Sequence, residues 1–113
     1  MQSVLDLYTA ACVANADVAM ANRRDTAIDA VDCTDGKARR VMGIIGRTSE
    51  VGYVVLLLDG RLKATLDFDI LNDALAPIPL SIPVPAGSQL TVKAHSTAST
   101  GAVTVGLAYE EPD

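Results

Sequence analysis

Asp59-Gly60 interrupts two β-prone runs, and no other pair of residues constrains this chain so tightly. Before it stands Val54-Val55-Leu56-Leu57-Leu58; after it comes Arg61-Leu62-Lys63-Ala64-Thr65-Leu66-Asp67-Phe68-Asp69-Ile70. A type I′ hairpin turn needs positive φ at both central positions, and Asp-Gly supplies that at low cost. Beyond the turn, Leu62, Ala64, Leu66, Phe68 and Ile70 alternate with Lys63, Thr65, Asp67 and Asp69, which predicts a strand with one dry and one wet face through Ile70. The unbroken apolar run Val54 to Leu58 predicts a strand covered on both faces, in a sheet interior or at a subunit contact.

The same grammar runs through the rest of the chain. Thr26 to Cys33 alternates and ends in the turn Thr34-Asp35-Gly36; Arg39 to Arg47 is a strand whose glycines, Gly43 and Gly46, predict a bulge or a close neighbour. Ser49 to Gly52 is a turn. Asn72 to Ala76 is a loop with room for one helical turn. Pro77, Pro79, Pro83 and Pro85 remove ladder donors, so Pro77 to Ser88 predicts an edge strand or extended rim. After Ala86-Gly87-Ser88 come a strand from Gln89 to Ser96 with Leu90, Val92 and Ala94 inward, a polar loop, and a last strand from Ala102 to Tyr109. The expected fold is all-β, an eight-stranded antiparallel two-sheet sandwich with turns spaced roughly every eight to twelve residues. Residues 1–24 are expected to form an N-terminal arm or Ala-rich segment packed on a sandwich domain of residues 25–113. Ser3 to Tyr8 reads as a short strand or extended arm, while residues 9–22 fit helical and strand spacing equally.

At 113 residues the chain suits one domain, yet half of it is apolar, generous for so small a body. The surplus predicts a homo-oligomer, a trimer preferred. The net charge of −5 disfavours nucleic acid, whose phosphates an acidic surface repels. No stretch approaches the roughly 20 apolar residues of a membrane span, and no secretory signal is evident, so a soluble cytoplasmic product is expected. Two cysteines, Cys12 and Cys33, lie in apolar stretches and are expected as reduced, buried thiols.

Chemistry-bearing constellations are sparse. His95 is the single histidine; Ser96, Ser99 and Asp67 are the triad partners it would need, but no nucleophile elbow accompanies them. Asp25, Asp29, Asp32 and Asp35 lack the alternate spacing of a calcium loop, and only Asp35-Gly36 matches its bend. Asp67 and Asp69, on the polar face of the expected strand, lack the aromatic sugar platforms of a glycoside hydrolase. Phosphate, dinucleotide and zinc motifs are absent. The expectation is a non-enzyme with no cofactor and no metal.

The hairpin, the Pro-rich edge, the segment Val84-Pro85-Ala86-Gly87-Ser88-Gln89-Leu90-Thr91-Val92 and the closing Val103-Thr104-Val105-Gly106-Leu107-Ala108-Tyr109-Glu110-Glu111 together resemble the second half of viral single jelly rolls. Small bacteriophage capsid-decoration (cement) proteins and related virion surface proteins share that pattern, over about residues 25 to 111. The resemblance implies a jelly-roll structural protein made in the host cytoplasm, placed on the virion surface and bound to the major capsid protein. It carries no catalytic residues. The apolar N-terminus, the central run and the Pro-rich edge make Val4, Leu5, Leu7, Tyr8, Val54, Leu56, Pro79, Pro83 and Pro85 the candidate interface residues. A similar Pro-Ala-Gly-Ser turn occurs in carbohydrate-binding and adhesin sandwiches, so a carbohydrate- or cell-surface-binding module is the alternative.

Overall fold

In the computed structural model, which describes residues 2–23 and 30–111, the Asp59-Gly60 turn forms with φ of 49° and 84° at its two central residues. The strands are β1 (Gln2–Ala11), β2 (Ala16–Ala19), β3 (Ala21–Asn22), β4 (Ala30–Asp32), β5 (Arg39–Arg47), β6 (Gly52–Leu58), β7 (Arg61–Asp67), β8 (Ile78–Val84), β9 (Gln89–Ser96) and β10 (Ala102–Glu111), with a short helix α1 (Phe68–Asp73) after β7. The described residues thus form ten strands where the sequence predicts eight, because the segment before β5 is cut into short pieces.

Two antiparallel sheets result. The first runs β3-β1-β10-β5-β8; the second runs β2-β9-β6-β7, with β4 also on β9. The pairs nest around the Asp59-Gly60 turn: β6 with β7, then β5 with β8, then β2 and β4 with β9, and outermost β1 with β10. Every strand pair is long-range except the hairpin itself, so the register is fixed by side-chain alternation, in which a one-residue slip would turn the whole core outward. Tyr8, Val41, Ile44, Val105 and Leu107 from the first sheet meet Val54, Leu56, Leu90 and Val92 from the second in one buried cluster. Both cysteines are free and buried in it.

β1 is an integral strand rather than an arm. It pairs with β10 along its whole length, Gln2 opposite Glu111 and Ala11 opposite Ala102. Its inward residues Asp6 and Tyr8 are buried, and the Tyr109 hydroxyl donates to Asp6 Oδ2 at 2.7 Å. Residues 9–22 resolve toward strands. β2 lies along β9 from Ala16 opposite Ser96 to Ala19 opposite Lys93, and the Met20 N–H donates to the Val92 carbonyl. The chain then crosses to the first sheet, where β3 pairs with Tyr8 and Thr9, and β4 returns to the other half of β9. Residues 2–22 therefore belong to the same two sheets as the rest.

The strand expected to continue to Ile70 ends at Asp67. Two local events redirect it. A bulge beside Leu56/Leu57 leaves Lys63 without a partner, so Leu62 stands opposite Leu57 and points outward, 63% exposed, while Ala64 and Leu66 pack inward. The chain then coils into α1, which buries Phe68 and Leu71 at i, i+3 spacing against the sandwich and leaves Ile70 exposed. Arg47 clamps the helix by donating to the carbonyls of Leu71 and Ala74, both at 2.9 Å, and Asn72 exchanges two hydrogen bonds with the Thr48 backbone. A cation suits a helix C-terminus, where carbonyls lack intrahelical partners.

β8 is an edge strand, as its prolines predict. Pro79 and Pro83 stand opposite Gly43 and Arg40, at alternate positions where a backbone N–H would point away from β5. β5 carries the predicted irregularity: Met42 is an extra residue bulged against β10, while on the β8 side Leu80 and Ser81 together span the place of Met42 alone, and a Cβ on Gly43 would come within 3.2 Å of Pro77.

At the far end Arg39 ties the turn after β4 to β10. Its guanidinium donates to both carboxylate oxygens of Asp35 (3.1 and 2.9 Å), to Glu111 (3.2 Å) and to the carbonyls of Asp32 and Lys37. Together with the Lys37 N–H, that hydrogen bonding lowers the Asp35 carboxyl from its ordinary 3.8 to about 2. A depressed carboxylate contributes stability that is complete above its unfolded value and is lost as pH falls. The urea midpoint of the wild type should therefore drop as pH falls from about 4 to about 2, and Arg39→Gln should flatten that dependence; equal slopes would contradict this role for the pair. At the hairpin, no atom lies within 4 Å of a Cβ built on Gly60, so Gly60→Val tests backbone strain alone. It should cost about 1–3 kcal/mol in urea denaturation.

Candidate functional site

The buried cluster lies between the two sheets, and the groupings of polar and of exposed apolar side chains lie on their outer faces. Four strands set one row across the second sheet: Asp17 on β2 faces His95 on β9, His95 faces Tyr53 on β6, and Tyr53 faces Asp67 on β7. The residues share the outer face because side chains directly opposite in a ladder project the same way. His95 Nδ1 lies 2.8 Å from Asp17 Oδ1, and its ring stacks on Tyr53 with centroids 4.8 Å apart and planes 9° from parallel. At the end of the row a concavity of about 360 Å³ is lined by Tyr53, His95, Asp67, Asp69, Val51 and Thr97. Asp67 and Asp69 make no ion pair among the described residues.

Gly52 makes this arrangement possible. Its φ is +154°, and a Cβ there would collide with the His95 carbonyl oxygen, so only glycine lets β6 enter its ladder beside His95.

The row is polar and aromatic but assembles no nucleophile. Ser96 points to the other face of β9, is 2% exposed, and accepts a hydrogen bond from the Ala98 N–H. Ser99 lies in the exposed loop beyond. Asp67 and Asp69 no longer share a strand face: Asp67 is the N-cap of α1 and Asp69 lies in its first turn. Of the four aspartates tested for a cation, Asp32 accepts from the Thr34 N–H and Asp35 is held by Arg39, while Asp25 and Asp29 lie outside the described residues.

The outer face of the first sheet is different. Its middle rows are Leu7–Gly106–Ile45 and Leu5–Ala108–Gly43–Pro79, read across β1, β10, β5 and β8. Leu5, Leu7 and Met42 are 57%, 38% and 41% exposed. Among the described residues, charges sit at the ends, Arg47 opposite Thr104 and Glu110 opposite Arg40, and at the β1 margin, where the Arg23 N–H donates to the Leu7 carbonyl.

The candidate interface residues divide accordingly. Leu5, Leu7, Pro79 and Pro83 lie on this outer face, and Pro85 is exposed just beyond β8. Val4 is half-buried against the core, and Tyr8, Val54 and Leu56 are core residues that reach no surface. Sequence reasoning missed Met42 and Ile45 on the first face. Their signal was the apolar stretch Val41–Ile45, too continuous for a strand with one wet face. It also missed the Tyr53–His95–Asp17 row, which depends on a non-local register.

Comparison with protein-family models, with curated proteins and with solved structures returned no match.

Gly52→Ala should cost on the order of 2–4 kcal/mol. It should also abolish the upfield ring-current shift that Tyr53 imposes on the His95 ring protons. A variant of wild-type stability with that shift intact would show that the glycine is dispensable.

Proposed function

We propose that the chain is a structural, non-catalytic virion protein: a jelly-roll subunit that decorates a capsid surface, associates with further copies of itself and braces the major capsid protein beneath it. One observation carries this reading, the strand order β1-β10-β5-β8 in one sheet against β2 and β4, then β9-β6-β7, in the other. A long hairpin whose nested pairs alternate between two sheets supports a winding of the jelly-roll type, a fold used widely by viral capsid domains. An enzyme of the cupin kind, which shares that winding, would place metal-binding side chains inside. Here the interior is packed with Tyr8, Met20, Phe68, Leu107, the thiols Cys12 and Cys33 and aliphatic residues, no three metal-binding side chains gather among the described residues, and the one histidine lies outside. The stiff sandwich, the apolar outer face and the acidic charge suit a protein that works by burying surface, with synthesis in the host cytoplasm and a final place on the particle.

The stacked Tyr53–His95 pair with Asp17, Asp67 and Asp69 favours a second reading, a sandwich that binds carbohydrate hydroxyls at that concavity.

Density-banded particles from a producing culture, analysed by quantitative mass spectrometry, separate the two. Capsid decoration requires the chain in the particle band at a copy number comparable to the capsid protein. Its confinement to the soluble fraction would sink that reading, and loss of glycan-array binding on Tyr53→Ala would establish the second.

A further inference from the structure

We propose that the outer face of the first sheet is a self-association surface, packing against the same face of a second copy about a two-fold axis. The inference goes beyond the virion reading, since it concerns the isolated protein.

Ladder register places Leu5 and Leu7 of β1, Ala108 of β10, Ile45 and the bulged Met42 of β5, and Pro79 of β8 on one outward surface. Contiguous apolar patches of this kind mark interaction sites rather than ordinary surface. With strands about 4.8 Å apart and about 3.3 Å of rise per residue, four strands over eight residues present roughly 19 by 26 Å, about 500 Å². Two such faces bury about 1,000 Å² together, near the lower size of a specific interface.

Relief and charge point to a second copy as the occupant. Gly106 lies mid-face, and a Cβ there would come within 3.0 Å of Ile45, 3.1 Å of Leu7 and 3.2 Å of Leu5, so these side chains lean across the glycine as a ridge. Beside the ridge runs a furrow of about 210 Å³, lined by Leu7, Ile45, Gly46, Arg47, Thr104 and Gly106. A ridge and a furrow on one face are what an isologous contact needs, because a two-fold axis lays each ridge in the other copy's furrow. Across β1, β10, β5 and β8 the two middle rows carry no charge, Arg23 flanks them at the β1 margin, and an axis perpendicular to the strands brings the Arg47 end of one copy over the Glu110–Arg40 end of the other. An uncharged centre with a charged rim is the composition of a protein contact. Anionic lipid is a poor occupant for a chain of net charge −5. Two twisted sheets meeting in this way stack about 10 Å apart with strands roughly 30° from aligned.

Sedimentation velocity on the purified full chain at tens of micromolar tests this. Wild type should sediment at twice the 11.8 kDa chain mass. Leu7→Glu should weaken dimerisation at least tenfold while circular dichroism stays unchanged, and Leu62→Glu, on the other sheet, should leave the dimer intact. Should Leu7→Glu fail to fold, Met42→Lys makes the same test at a bulge that tolerates a long side chain. A wild-type monomer at 100 µM, a trimer, or a dimer that survives a folded Leu7→Glu or Met42→Lys would each overturn the proposal. None of these outcomes bears on whether the protein resides in particles.

Discussion

The pairing of β1 with β10 closes the structure, and the rest depends on it. This outermost ladder joins the two ends of the described chain, from Gln2 opposite Glu111 to Ala11 opposite Ala102. It sets which side chains of each strand face inward: Tyr8 of β1 and Val103, Val105, Leu107 and Tyr109 of β10. It forms across about a hundred residues of sequence, so its closure entropy must be offset by the ladders nested inside it. The Asp59-Gly60 turn supplies the start of that nest, where closure costs least. Local chemistry at one turn and long-range pairing at the other extreme therefore hold the same sandwich in register.

Legibility in the sequence followed the same gradient. The turn at Asp59-Gly60, the strand Gln89–Ser96 and the turns at Gly36 and Gly87, both with positive φ, are local features and were readable as such. The proline edge was readable because a missing donor is a property of the residue itself. What was hidden was non-local or cumulative. Leu62 and Ile70 fit an ideal period of two, but one bulged residue and one helical turn moved both to the surface. The Ala-rich stretch from Thr9 to Asn22 has no intrinsic preference strong enough to choose, and β9 decides by offering a ladder to Ala16–Ala19. β1 read as an arm because nothing in Gln2–Ala11 reveals that its partner lies at the opposite end of the chain.

The candidate surfaces were legible only as composition. An apolar surplus in an aromatic-poor chain predicts an interface without placing it. Placement came from register: the same parity that buries Tyr8 turns Leu5 and Leu7 outward, and the bulge at Met42 brings a further apolar side chain to that face. On the opposite sheet, Asp17, His95, Tyr53 and Asp67 are far apart in sequence and become neighbours only because four strands carry them to one level.

The parity of the prolines in β8 has a consequence for how copies of this protein can meet. A sheet grows like a polymer, each new strand templated by the donors and acceptors of the last, and growth of that kind has no natural end. With Pro79 and Pro83 at the outward-pointing positions, the edge offers acceptors but lacks those donors, and Ser81 alone separates the two gaps. The prolines act as chain terminators. At this edge, high local concentration then favours stacking of finished faces over fibrous extension, and two backbone nitrogens are enough to make that difference.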